Sequence, residues 1–179
     1  MSYEDVCIDC TIELNAELDC QGVADLLHPY AVRCFQIYSE EMGNPIQDPI
    51  PWKGEYGFDV SNVAAEDLCD GHFTDDLEHN AGIVLRAIES FICSVSATEG
   101  KTKITLTNPD PDEGASYDQI KSIAQYLFSK STMPYASINY HVDTGSEAWT
   151  NQWFMIRSKG VIKYLNSYDL ADELSALVG

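Results

Sequence analysis

Positive charge is what this sequence has least of: 10 Lys and Arg stand against 29 Asp and Glu in 179 residues, a formal net charge of −19. A field of that sign repels nucleic acid and anionic membranes and draws in basic proteins at rates that fall with salt, so direct binding to DNA, RNA or a lipid surface is not expected. Long apolar runs are missing too. No stretch reaches the roughly 18 apolar residues of a membrane-spanning helix, and the opening MSYEDVCIDC carries acids where an export signal would carry Lys or Arg. A cytoplasmic location is therefore expected. In a reducing compartment the six Cys, at 7, 10, 20, 34, 69 and 93, are expected to be free thiols, mostly buried, rather than disulfides.

Nucleotide-binding and hydrolase signatures are absent as well. The chain contains no G-x-x-x-x-G-K-[ST] loop, no G-x-G-x-x-G turn and no G-x-S-x-G elbow. His28, His72, His79 and His141 stand beside no Cys or Ser in a catalytic signature and read as surface or capping residues. No enzyme is indicated and no cofactor is implied. Among 29 acids, carboxylate pairs of the kind used in glycoside chemistry arise by coincidence and identify nothing.

What the sequence does have is apolar content: 45% hydrophobic residues, with three Trp and ten Tyr. That is too much for a disordered acidic tail, and 179 residues suffice to bury one core, so residues 1–179 are expected to form a single domain. Val6 to Asn15 alternates apolar and polar residues and predicts a half-buried strand. Asp19 can cap a short helix carrying Val23, Leu26 and Leu27, which Pro29 ends or separates from the next element. Residues 30–42 fit a helical stripe closed by Gly43 and also fit a strand, with helix preferred. Pro45, Pro49 and Pro51 mark residues 44–57 as a loop, followed by an extended piece near Tyr56 to Val60 and a short helix from Ser61 or Asn62 through Leu68.

Thr74 is positioned to cap a long helix whose stripe runs Leu77, Ala81, Val84, Leu85, Ile88, Phe91, Ile92 and Val95 and supplies the spine of the core. Lys101 to Thr107 reads as a strand, and Ser116 with Gln119 forms a capping box for a helix bearing Ile120, Ile123, Ala124, Leu127 and Phe128. Three strands follow, at Tyr135 to Asp143, Ala148 to Arg157 and Val161 to Asn166. Their short turns require an antiparallel meander. Asp169 caps a terminal helix. The expected fold is α+β, an antiparallel or mixed sheet, the C-terminal meander plus the N-terminal strand, with helices on one face.

Two constellations resemble metal sites. Cys7-x-x-Cys10 with Cys69-x-x-His72 has the composition of a zinc site, but Cys7 and Cys10 fall on opposite faces of the predicted strand. Asn108, Asp110 and Asp112 resemble the start of a calcium loop, yet its glycine is one place late and its twelfth position is Gln119. Neither implies a bound metal. A small metal- or ligand-dependent enzyme using Cys69 and His72 is the alternative to a binding protein. Trp149 and Trp153 fall on the meander, where aromatics pack a core; facing solvent together, they would instead dock an accessory subunit onto a partner.

The acidity is local. Residues 1–100 hold 20 acids and 3 bases, whereas residues 101–179 hold 9 and 7. Between Lys53 and Arg86 lie eight acids and no base: Glu55, Asp59, Glu66, Asp67, Asp70, Asp75, Asp76 and Glu78. High-salt adaptation would spread acid over the whole surface, and a merely solvated face would not need such self-repulsion. In charge and size the chain resembles the small acidic inhibitors that phages and mobile elements direct against CRISPR or restriction systems, and the immunity proteins of nuclease toxins. That resemblance implies a basic, nucleic-acid-binding partner, met by the acids from Glu66 to Glu78 (Glu66, Asp67, Asp70, Asp75, Asp76 and Glu78) together with Asp48, Glu55 and Asp59, in the manner of a DNA mimic.

Overall fold

The computed structural model describes residues 5–41, 74–108 and 116–178. Six strands, β1 (Asp5–Leu14), β2 (Ile92–Thr98), β3 (Lys101–Thr107), β4 (Tyr135–Asp143), β5 (Ala148–Ser158) and β6 (Val161–Asn166), form one antiparallel sheet in the order β2-β3-β1-β4-β5-β6. Four helices, α1 (Cys20–Glu41), α2 (Leu77–Glu89), α3 (Ser116–Lys130) and α4 (Ser167–Val178), complete the α+β fold. With α1 and α2 between β1 and β2, and α3 between β3 and β4, the first four strands make a split βαβ arrangement. The meander of β5 and β6 extends it beyond β4.

The alternation of β1 decides which sheet face is covered. Ile8, Cys10, Ile12 and Leu14 are buried, while Cys7, Asp9 and Thr11 are exposed. Pairing carries this division to the neighbours: Ile12 opposes Ile104, and Cys10 opposes both Leu106 and Ile138. Helix α3 lies over β1, β3 and β4 and buries Ile120, Ile123, Ala124, Leu127 and Phe128. Arg157 of β5 ties down its end, donating through Nη2 to the carbonyls of Phe128 and Ser131 at 2.9 Å and placing its cation over the Phe128 ring. The Phe128 carbonyl also accepts from the Ser131 amide and hydroxyl at 3.1 and 2.8 Å, so the guanidinium adds a charged donor to a helix end that Ser131 already closes.

Helix α1 packs on α3 through two tyrosines whose rings stack at 4.8 Å. Tyr30 donates its hydroxyl to Ser122 Oγ at 2.8 Å, and Tyr126 donates to the Leu26 carbonyl at 2.6 Å. Burial pushes the Tyr30 phenol well above its ordinary range, so it remains a neutral donor. α2 packs against α1.

Several expectations are corrected. Pro29 does not end a helix: α1 runs unbroken through it, because Leu27, Tyr30, Ala31 and Cys34 continue one buried stripe across the proline. The helix that follows Thr74 stops at Glu89, and Ile92 and Val95 belong to β2, paired with Leu106 and Ile104. Its cap is Asp76 rather than Thr74, and α3, buried along more of its length, is the spine of the core. At α4 it is Asn166 whose side chain accepts the Asp169 N–H, at 2.8 Å. The β2–β3 and β5–β6 hairpins turn on Glu99-Gly100 and Lys159-Gly160, all four with positive φ as a type I′ turn demands.

The free thiols are not mostly buried: Cys7, Cys20 and Cys93 are exposed, and Cys10 and Cys34 are inside. Desolvation pushes the Cys10 thiol up to about 12, with the Asp9 charge adding to it. No helix among the described residues is long and apolar enough to cross a membrane.

Candidate functional site

Of the nine acids expected to meet a partner, Asp75, Asp76 and Glu78 fall within the described structure, at the start of α2. Asp48, Glu55, Asp59, Glu66, Asp67 and Asp70 lie outside the described residues, as do Cys69, His72 and the proline-rich loop. The three described acids are exposed. Asp76 Oδ1 accepts from the amides of Glu78 and His79 at 3.0 and 3.4 Å, satisfying donors that the first turn leaves open. Glu78 reaches His28 of α1 at 2.9 Å. The buried Asn80 closes the preceding turn, its Oδ1 accepting from Thr74 N–H at 2.9 Å and its Nδ2 donating to the Thr74 carbonyl at 2.7 Å. This turn thus holds Asp75 and Asp76 between a side-chain clamp and a helix terminus, where the helix dipole favours negative charge.

The uncovered sheet face presents a different chemistry. Asn139 donates to Asp9 at 2.9 Å and accepts from Gln152 at 2.8 Å, tying β1, β4 and β5 together. Thr11 and Thr105 pair across β1 and β3, and Glu13 holds Lys101 at 2.7 Å with Lys103 at 4.0 Å. The Lys101 hydrogen bond lowers the Glu13 carboxyl below its ordinary range. Asp9, Thr11, Glu13, Lys101 and Asn139, with Tyr135, are among the residues lining a groove of about 820 Å³. On β1 and β3 this face carries Cys7, Asp9, Thr11, Glu13, Lys101, Lys103, Thr105 and Thr107.

The two tryptophans are not equivalent. Both project toward the helix-covered side, Trp149 opposite Val142 and Trp153 opposite Ile138. Trp153 packs against the core, stacked on Tyr164 at 5.1 Å with the Lys121 ammonium over both rings. Trp149 is 49% exposed and meets Tyr140 at 5.2 Å.

Cys7 and Cys10 stand on opposite faces of β1, one exposed and one in the core, so they do not chelate one ion. Among the described residues, no three His, Cys, Asp or Glu side chains gather closely enough to hold a metal. Asn108, the first residue of the calcium-like motif, is buried and accepts the Ile8 amide at 2.9 Å, completing the edge of β1. His28 and His141 are engaged with Glu78 and Thr150.

One residue that the sequence did not single out is Arg33. It is 9% exposed, and among the described residues no group accepts from its Nε or Nη1. Burial pushes the neighbouring Cys34 thiol up to about 12, opposed by the Tyr30 hydrogen bond and the Arg33 charge. A buried cation with unsatisfied donors is costly. Arg33→Met is therefore expected to raise stability by about 1–3 kcal/mol, read from the urea midpoint. A fall would place an acceptor for Arg33 among residues outside those described.

No protein family, curated protein or solved structure shows detectable similarity to this chain.

Proposed function

We propose that the protein is an acidic binding protein, an inhibitor that occupies the basic surface of a nucleic-acid-binding partner such as a nuclease complex. The observation that carries this reading is the placement of charge: eight acids without a base between Lys53 and Arg86, in a half of the chain that holds 20 of the 29 acids. The turn at Asp76 supports it, because a carboxylate held by the Glu78 and His79 amides loses little conformational freedom on docking. Ordered carboxylates spaced on a protein surface can take the place of phosphates in a basic cleft. The partner's Lys and Arg would be met by Glu66, Asp67, Asp70, Asp75, Asp76 and Glu78, flanked by Asp48, Glu55 and Asp59.

The test is capture of partners by the wild-type protein beside a variant with Asn or Gln at the six acids from Glu66 to Glu78. Wild type alone is expected to retain a nucleic-acid-binding complex, duplex DNA should compete it off, and association should slow roughly tenfold or more as salt rises. Retention of the same partner by both proteins, or an association rate indifferent to salt, overturns the reading. The half-exposed Trp149 favours a second possibility, docking as an accessory subunit through the aromatic end of the meander.

A further inference from the structure

The two edges of the sheet are built differently. β6 carries Lys163 in its middle, follows the Lys159-Gly160 turn and contacts α4. A lysine on an edge strand discourages pairing with another chain. β2, at the other end, reads Ile-Cys-Ser-Val-Ser-Ala-Thr, with no charge and no proline over seven residues. It pairs with β3 on one side, and among the described residues nothing pairs with it on the other. Residues 93–98 are exposed except for the half-buried Val95. The register irregularity that would twist the edge away is confined to its start, between Ile92 and Ser94.

We propose that β2 is a self-pairing edge, joining antiparallel to β2 of a second copy about a twofold axis through Val95 and continuing the six-stranded sheet into one of twice that width. Around Val95 the triad Ser-Val-Ser reads the same from either end, so antiparallel pairing about a twofold axis sets serine against serine and valine against valine, self-complementary cross-strand pairs. In that register Ser94 opposes Ser96 of the second copy on the uncovered face, and Val95 meets its own counterpart on the helix-covered face. A basic partner finds no acid within this strand. Two chains of net charge −19 can approach there without setting like charges directly opposite each other. The backbone groups along this edge supply the hydrogen bonds.

The test is sedimentation equilibrium of the full chain in reductant, which keeps Cys93 from crosslinking. Wild type is expected to approach twice its 19.9 kDa as concentration rises. Ser94→Lys with Ser96→Lys sets lysines opposite lysines across the axis and should leave one chain, with unchanged circular dichroism. Ser94→Lys with Ser96→Glu sets opposite charges face to face and should restore the dimer. A wild-type mass of one chain throughout, a dimer indifferent to the paired lysines, or a charge-swapped variant that stays monomeric each overturns the proposal.

Discussion

Trp153→Ala should lower stability by about 3–5 kcal/mol while Trp149→Ala changes it by less than about 1 kcal/mol, although the two residues sit four apart on one strand and face the same side. The difference comes from what covers them. Trp153 lies against Tyr164 and beneath the Lys121 ammonium, next to the packed interior of β4 and β5. Its removal leaves a cavity beside the Tyr164 ring and takes away one of the two aromatic faces under the Lys121 ammonium. Trp149 leans on Tyr140 at a 48° angle and remains half in water, so truncation mainly exposes the face of Tyr140. Thermal unfolding checks this, since a loss of 3 kcal/mol in a domain of this size moves the midpoint by roughly 6–12 °C. Equal losses at the two positions would mean that Trp149 is also covered. A folded Trp149 variant that no longer retains a partner would assign docking to the aromatic end of the meander.

Pro29→Ala is expected to stabilise the protein by about 2 kcal/mol. Proline inside a helix removes one hydrogen bond, here the one the Asp25 carbonyl would accept, and costs roughly 3 kcal/mol relative to alanine. Proline also restricts the unfolded chain, which returns about 0.4–1 kcal/mol, so alanine gains the difference. Pro29 is exposed, and no core packing is lost with its ring. The urea midpoint should rise without a change in slope. A fall in stability would show that proline at position 29 is needed to hold the Leu26 carbonyl within reach of the Tyr126 hydroxyl, a contact between α1 and α3.

The legible elements are those whose signal is local. β1, β3 and the three strands of the meander follow from two-residue alternation and short turns, and α3 follows from its apolar stripe. The junction between α2 and β2 was not legible in the same way. Leu77 to Val95 carries a helical spacing throughout, but Ile92 and Val95 also suit a strand, and β3 offers them a ladder of hydrogen bonds. The one local sign of that switch is the Glu99-Gly100 turn, which needs two positive φ angles and closes a hairpin. Pro29 misled for the converse reason, since its local cost is outweighed by a buried stripe that continues on both sides.

Of the candidate site, the run of acids was legible, and its end, Asp75, Asp76 and Glu78, stands at the start of α2. Their individual roles were not. Asp76 as cap, Glu78 as partner of His28 and Asn80 as clamp depend on atoms brought together by the turn and by packing of α2 on α1. Arg33 gave no sign in the sequence, because the burial of a cation is a property of what surrounds it.

Sequence by itself determined the charge of −19, its concentration in the first 100 residues and the alternations that make an α+β domain, since these depend only on residue identity and spacing along the chain. Tertiary structure alone decided which strands are neighbours, and therefore which strand, among the described residues, stands at each edge of the sheet, which tryptophan is covered and which cation is buried. Those outcomes are set by contacts between residues dozens of positions apart, as between Ile8 and Asn108 or between Tyr30 and Ser122, and no local pattern records them.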